Sequence, residues 1–83
     1  MKILYFAWLR QSTGIGEEDV TVPAEVTDVA GLIDWLKTRG DGFEEALQDV
    51  SAIRVAINQE FAALDAKIAP SDEVALFPPM TGG

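Results

Sequence analysis

Residues 2–9, Lys-Ile-Leu-Tyr-Phe-Ala-Trp-Leu, are rich in aromatic and branched side chains and read as a strand. In a strand, Ile3, Tyr5 and Ala7 point one way and Leu4, Phe6 and Trp8 point the other. Both faces are therefore apolar. A strand with one wet face alternates apolar with polar residues, so each face of this one needs a cover. The cover must come from packing alone, because the 83 residues include no cysteine. A chain this short forms one domain around one core.

The rest of the chain supplies the elements that such a strand requires. Residues 10–18 read as a loop and residues 19–23 as a second strand, with Val20 and Val22 inward. Thr27 suits a helix N-cap and Asp28 the first turn. Val29, Leu32, Ile33 and Leu36 then form one apolar stripe at helical spacing, and Gly40 ends the helix. Phe43, Ala46, Leu47 and Val50 repeat that spacing in a short second helical segment. Residues 53–58 read as a third strand, Asn58-Gln59-Glu60 as a turn and Phe61–Leu64 as a short fourth strand. In the last strand, residues 73–77, Val74 and Leu76 point inward and Ala75 and Phe77 outward. The first and last strands are the most apolar and are expected to pair centrally. Phe6 and Phe77 would then meet on the outer face, with Arg10 supplying a charged rim.

Composition removes most kinds of chemistry. Without histidine or cysteine there is no thiolate nucleophile, no Cys/His zinc site and no histidine-based triad. The fourteen carboxylates match no calcium-loop spacing, so no metal site is expected. Gly14 and Gly16 lack the third glycine and the helix start of a dinucleotide fingerprint. A net charge of −8 repels phosphate backbones and argues against nucleic-acid binding, while favouring a basic partner surface. No apolar run is long enough to span a membrane or to serve as a secretion signal, so a cytoplasmic location is expected.

The final residues are the chemically unusual part. Phe77 is followed by Pro78-Pro79, which is stiff, extended and unable to pair inside a sheet. Met80 and Thr81 lead to Gly82 and Gly83. A flexible tail over residues 78–83 that ends without side chains fits a narrow channel in another protein, where any Cβ would collide. The group it would deliver is the α-carboxylate of Gly83, which becomes an acyl donor only after activation by ATP.

Four blocks carry a resemblance: KILYFAWLRQSTG at 2–14, the helix ending at Gly40, RVAINQE at 54–60 and DEVALFPPMTGG at 72–83. Together they resemble the small subunits of molybdopterin synthase, the β-grasp (ubiquitin-like) sulfur carriers of molybdenum-cofactor synthesis. The departures are Ser71-Asp72 in place of the frequent Gly-Asp, and the bulk of Trp8. The resemblance implies an α+β fold: a mixed sheet of four to five strands on one main helix plus a short second one. It implies a subunit that is not an enzyme on its own. Gly83 would be adenylated by an E1-like partner using ATP and Mg²⁺, converted by a persulfide donor to a thiocarboxylate, and threaded into the large subunit. There it would give its sulfur to cyclic pyranopterin monophosphate. Residues Pro78 to Gly82 would thread, Leu4, Phe6, Trp8, Arg10 and Phe77 would bind the partner, and no cofactor would stay bound. A related carrier for thiamine or an amino acid, a ubiquitin-like modifier, and a plain interaction module remain as alternatives.

Overall fold

A computed structural model describes residues 1–79. Five strands form one sheet in the order β2-β1-β5-β3-β4. They are β1 (Lys2–Tyr5), β2 (Glu17–Asp19), β3 (Arg54–Ile57), β4 (Glu60–Ala62) and β5 (Glu73–Phe77). The helices are α1 (Trp8–Thr13), α2 (Val29–Lys37) and α3 (Asp41–Leu47), with a 3₁₀ turn at Val50–Ala52. β1 and β5 pair in parallel at the centre, from Lys2 opposite Glu73 to Tyr5 opposite Leu76. β1–β2, β3–β4 and β3–β5 are antiparallel. This mixed sheet with its helices is the expected β-grasp architecture.

The apolar stripe of α2 lands where its spacing predicts. Val29, Leu32, Ile33 and Leu36 are buried, together with Ile3, Tyr5, Val55, Val74 and Leu76 from the sheet and Ile53 just before β3. Ala46 and Leu47 of α3 complete that core, and Val20, Val22 and Phe43 pack at its margin. Asp28, not Thr27, is the N-cap: its carboxylate accepts from the Gly31 N–H at 2.8 Å. Gly40 does not end α2, which is capped by Thr38; it is the N-cap of α3. Val50 lies past the end of α3 and is exposed.

The first strand is shorter than its sequence suggests. β1 stops at Tyr5, and Ala7 takes a positive φ of 54° with ψ −131°. An alanine there costs on the order of 1–3 kcal/mol, so its surroundings must impose it. They do so from both sides. The Phe6 N–H is held by the Leu76 carbonyl at 3.1 Å, and the Ala7 carbonyl accepts from Arg10 and Gln11 to start α1. Trp8–Thr13 is therefore helix, not strand and loop, and it turns Leu9 fully inward as part of the core. Gly14, with φ 81°, closes α1 by donating to the Arg10 carbonyl at 2.9 Å. α3 packs against α1 so closely that a Cβ on Gly42 would overlap the Ser12 carbonyl oxygen.

β2 also lies earlier than its alternation suggests. It is Glu17–Asp19, an acidic edge strand, and Val20 and Val22 follow it half-buried. Lys2 pairs with Glu17 at 3.1 Å across the β1–β2 ladder, and its pKa is raised by that contact. Glu18 accepts from the Tyr5 hydroxyl at 2.8 Å and from Arg39 at 2.5 Å. The Arg39 guanidinium lies over the rings of Trp35 and Phe43. Burial, then the Glu18 hydrogen bond, pushes the Tyr5 phenol well above its ordinary range. These contacts fasten the charged edge strand to the end of α2. Acidic side chains along an open edge also discourage pairing with another sheet.

Candidate functional site

The helices cover one face of the sheet and leave the other open. On the open face the side chains follow from register. Arg54 stands opposite Phe77, Ala56 lies between Ala75 and Phe61, and Leu4 stands beside Ala75. The result is a floor of small and apolar residues with Phe61 standing on it. Phe61 is 81% exposed, and its ring centroid is 5.9 Å from that of Phe77. Asn58 and Gln59, both at positive φ, make the tight turn that places Phe61 there. Asn58 is fixed in turn, because its side chain donates to Asp72 and accepts from the Glu73 N–H, each at 3.0 Å.

Two concave surfaces lie near the ends of the central strands, one beside Phe77 and Pro79 and one beside Tyr5 and Phe6. The larger, about 710 Å³, is lined by Val50, Ile53, Arg54, Phe61, Leu64, Phe77 and Pro79, among others. The smaller, about 390 Å³, is lined by Leu4, Phe6, Arg10, Ile15 and Glu17, among others. The root of the tail, Pro78-Pro79, is half-buried, with Pro79 lining the larger surface, and it continues the central strand beyond the last ladder pair. Met80, Thr81, Gly82 and Gly83 lie outside the described residues.

The expected partner-binding residues are thus divided. Leu4, Phe6 and Arg10 do come together, in the smaller notch. Phe6 and Phe77 do not form the expected aromatic pair. β1 ends at Tyr5, opposite Leu76, so Phe6 is already leaving the sheet toward Ile15 and Gly16, while Phe77 faces β3. The ring beside Phe77 is Phe61. Trp8, 39% exposed, begins α1 instead of extending the open face. Phe61 escaped sequence reasoning as a surface residue, although an aromatic directly after a tight Asn-Gln-Glu turn on a three-residue edge strand was a usable signal. Among the described residues no cluster of acidic side chains could hold a metal ion, and no helix is long and apolar enough to cross a membrane. The arrangement can present a tail and offer an apolar surface beside it.

Comparison with known proteins gives this arrangement a family. The Escherichia coli molybdopterin synthase sulfur carrier subunit is 34% identical over 83 residues, covering 100% of this chain and 99% of that one. The human molybdopterin synthase sulfur carrier subunit is 34% identical over 87 residues, covering 100% and 93%. Among solved structures, SAMP1 from Haloferax volcanii superposes with a TM-score of 0.74 at 33% identity, covering 100% and 98%. The ThiS family model matches residues 3–83, which takes in both the β-grasp core and the Gly82-Gly83 end. The chain belongs to the ThiS family, alongside the molybdopterin synthase sulfur carrier subunits.

Proposed function

We propose that this chain is the sulfur-carrying small subunit of a molybdopterin synthase, and that Gly83 bears the sulfur. The observation that carries this reading is the central strand β5, which runs out of the sheet as Pro78-Pro79 beside an open apolar face. The family match extending to Gly83 and the similarity to named sulfur carrier subunits support it. The chain itself is not a catalyst. An adenylating partner, supplying ATP and Mg²⁺, lets a carboxylate oxygen of Gly83 attack the α-phosphorus, and pyrophosphate leaves. The outer sulfur of a persulfide donor then attacks the acyl carbon and AMP departs. A thiol cleaves the resulting acyl disulfide, leaving the thiocarboxylate and a new disulfide.

In the second half of the cycle the loaded tail enters the large subunit, where residues 78–82 thread the channel. The carrier then transfers its sulfur to cyclic pyranopterin monophosphate, and two such transfers complete the dithiolene. The assembly contains two small and two large subunits and works in the cytoplasm. Incubation with the adenylating enzyme, ATP and a persulfide donor tests the proposal by intact-mass measurement. Exchange of one oxygen for one sulfur at Gly83 is the expected result. A second reading, as a protein modifier, draws on the likeness to SAMP1; attachment of Gly83 to lysine side chains without sulfur gain would favour it.

A further inference from the structure

Cations are scarce in this chain, and the fold uses them unevenly. Of six lysines and arginines, Lys2, Lys37 and Arg39 form ion pairs with Glu17, Asp34 and Glu18. Among the described residues, Arg10, Arg54 and Lys67 form none. Lys67 lies in the loop that bridges to Asp28 at the start of α2. Arg10 and Arg54 instead lie on opposite sides of β5, Arg10 in α1 just after β1 and Arg54 on β3. Arg54 is the register partner of Phe77, the last residue of β5, and lines the larger groove. Arg10 lines the notch on the β1 side, where the neighbouring Phe6 N–H bonds to Leu76.

The Arg54 guanidinium is held in place. Arg54 donates through one nitrogen to the Ser51 and Ile53 carbonyls, at 3.2 and 3.0 Å, which leaves its other donors free. Arg10 lies over Gly16, where an added Cβ would sit 3.1 Å from the guanidinium carbon. A pre-ordered arginine loses less freedom when a planar carboxylate binds it. A chain with net charge −8 therefore carries, among its described residues, unneutralised arginines on opposite sides of β5, and Arg54 is fixed beside Phe77. β1 and β3, which carry or adjoin them, lie about 10 Å apart across β5.

Resting on the proposed carrier function, we infer that Arg54, together with Arg10 across the tail, reads the partner by charge. The partner is a protein whose tail channel is flanked by a carboxylate on each side, with an apolar ridge for the Phe61–Phe77 groove. A threaded tail fixes the axis of docking but not rotation about it. Two ion pairs on opposite sides of that axis fix the rotation. They also make a local attraction for carboxylates in a chain whose net charge of −8 otherwise favours a basic partner surface.

Binding kinetics against the large subunit test this, using the full chain at low and high ionic strength. Arg54→Glu is expected to weaken binding about tenfold or more at low salt, mainly through a slower association rate. Arg54→Lys should retain most of the affinity, and Arg54→Gln should reduce the salt dependence of association. Thermal melting checks that each variant is folded; the exposed position of Arg54 leaves the core untouched. An association rate and salt dependence unchanged in both Arg54→Glu and Arg54→Gln would overturn the inference and leave the carrier function standing. A loss in Arg54→Gln that salt does not modulate would assign Arg54 to packing and would also overturn it. No binding by the unaltered chain would overturn the proposed function and this inference with it.

Discussion

Replacing Phe61 by alanine separates folding from docking more cleanly than any other change on the open face. The ring is 81% exposed, so the folded chain keeps most of it in water and loses little on truncation. Its only aromatic neighbour among the described residues is Phe77, tilted at 48°, and that contact is itself at the surface. Burying a whole phenyl side chain is worth roughly 1.5–3 kcal/mol. About four-fifths of that remains to be gained on docking, or roughly 1–2.5 kcal/mol, which corresponds to about five- to seventyfold in affinity. Titration calorimetry of Phe61→Ala against the large subunit should show that loss, with a melting temperature close to that of the unaltered chain. Unchanged affinity would mean that the partner does not cover the β3–β4 side of the sheet. A large drop in melting temperature would mean that the ring belongs to the fold.

Gly42→Ala should destabilise, although alanine ordinarily gains about 1 kcal/mol over glycine inside a helix. The overlap with the Ser12 carbonyl forces α1 and α3 apart at a cost of about 1–3 kcal/mol, and a rise in melting temperature would show that the helices separate freely. Leu32→Ala removes a fully buried side chain at the centre of the α2 stripe and should cost about 2–5 kcal/mol in urea unfolding. Tyr5 is the single tyrosine, so phenolate absorbance reports it alone. Its folded pKa is raised above the ordinary value of 10.0, so the folded state holds the proton that the unfolded state releases. This contribution to stability is complete below pH 10 and is lost as pH rises further, and Tyr5→Phe should flatten that fall. Deleting Gly83 should abolish sulfur loading, measured by intact mass, and leave the melting temperature nearly unchanged, because a glycine has no side chain to bury and the described core runs from Ile3 to Leu76.

The parts of this fold that the sequence reveals are those where one periodicity acts alone. The α2 stripe has a single apolar face, and all four of its members are buried. β5 alternates cleanly, and its bounds match the sequence expectation at both ends. The stretch from Phe6 to Thr13 misleads because a six-residue helix is too short to display its period, and its apolar residues extend the strand pattern of β1. What breaks the strand is the positive φ of Ala7, imposed by Leu76 and by the start of α1; alanine carries no local preference for it. β2 is legible only through its partners. Three acidic residues have no strand propensity, and they are held by β1, Lys2, Tyr5 and Arg39. The open face was foreseeable from the two-sided apolarity of β1, but which aromatic stands on it depended on the β3–β4 register.

The position of β5 explains how so small a domain can present a tail under load. β5 pairs on both sides, in parallel with β1 and antiparallel with β3, and Phe77 at its very end still faces Arg54. Pulling on Pro78-Pro79 therefore acts along two ladders at once. An edge strand such as β2 or β4, three residues long and paired on one side, would peel away. The same central strand separates the two demands on the molecule. Val74 and Leu76 point into the helix-covered core and carry stability, while Ala75 and Phe77 point to the open face. Side chains on that open face can change to suit a partner without opening a cavity in the core. The inward alternates cannot, because each is fully buried against α2 or its neighbours and its loss would leave a void.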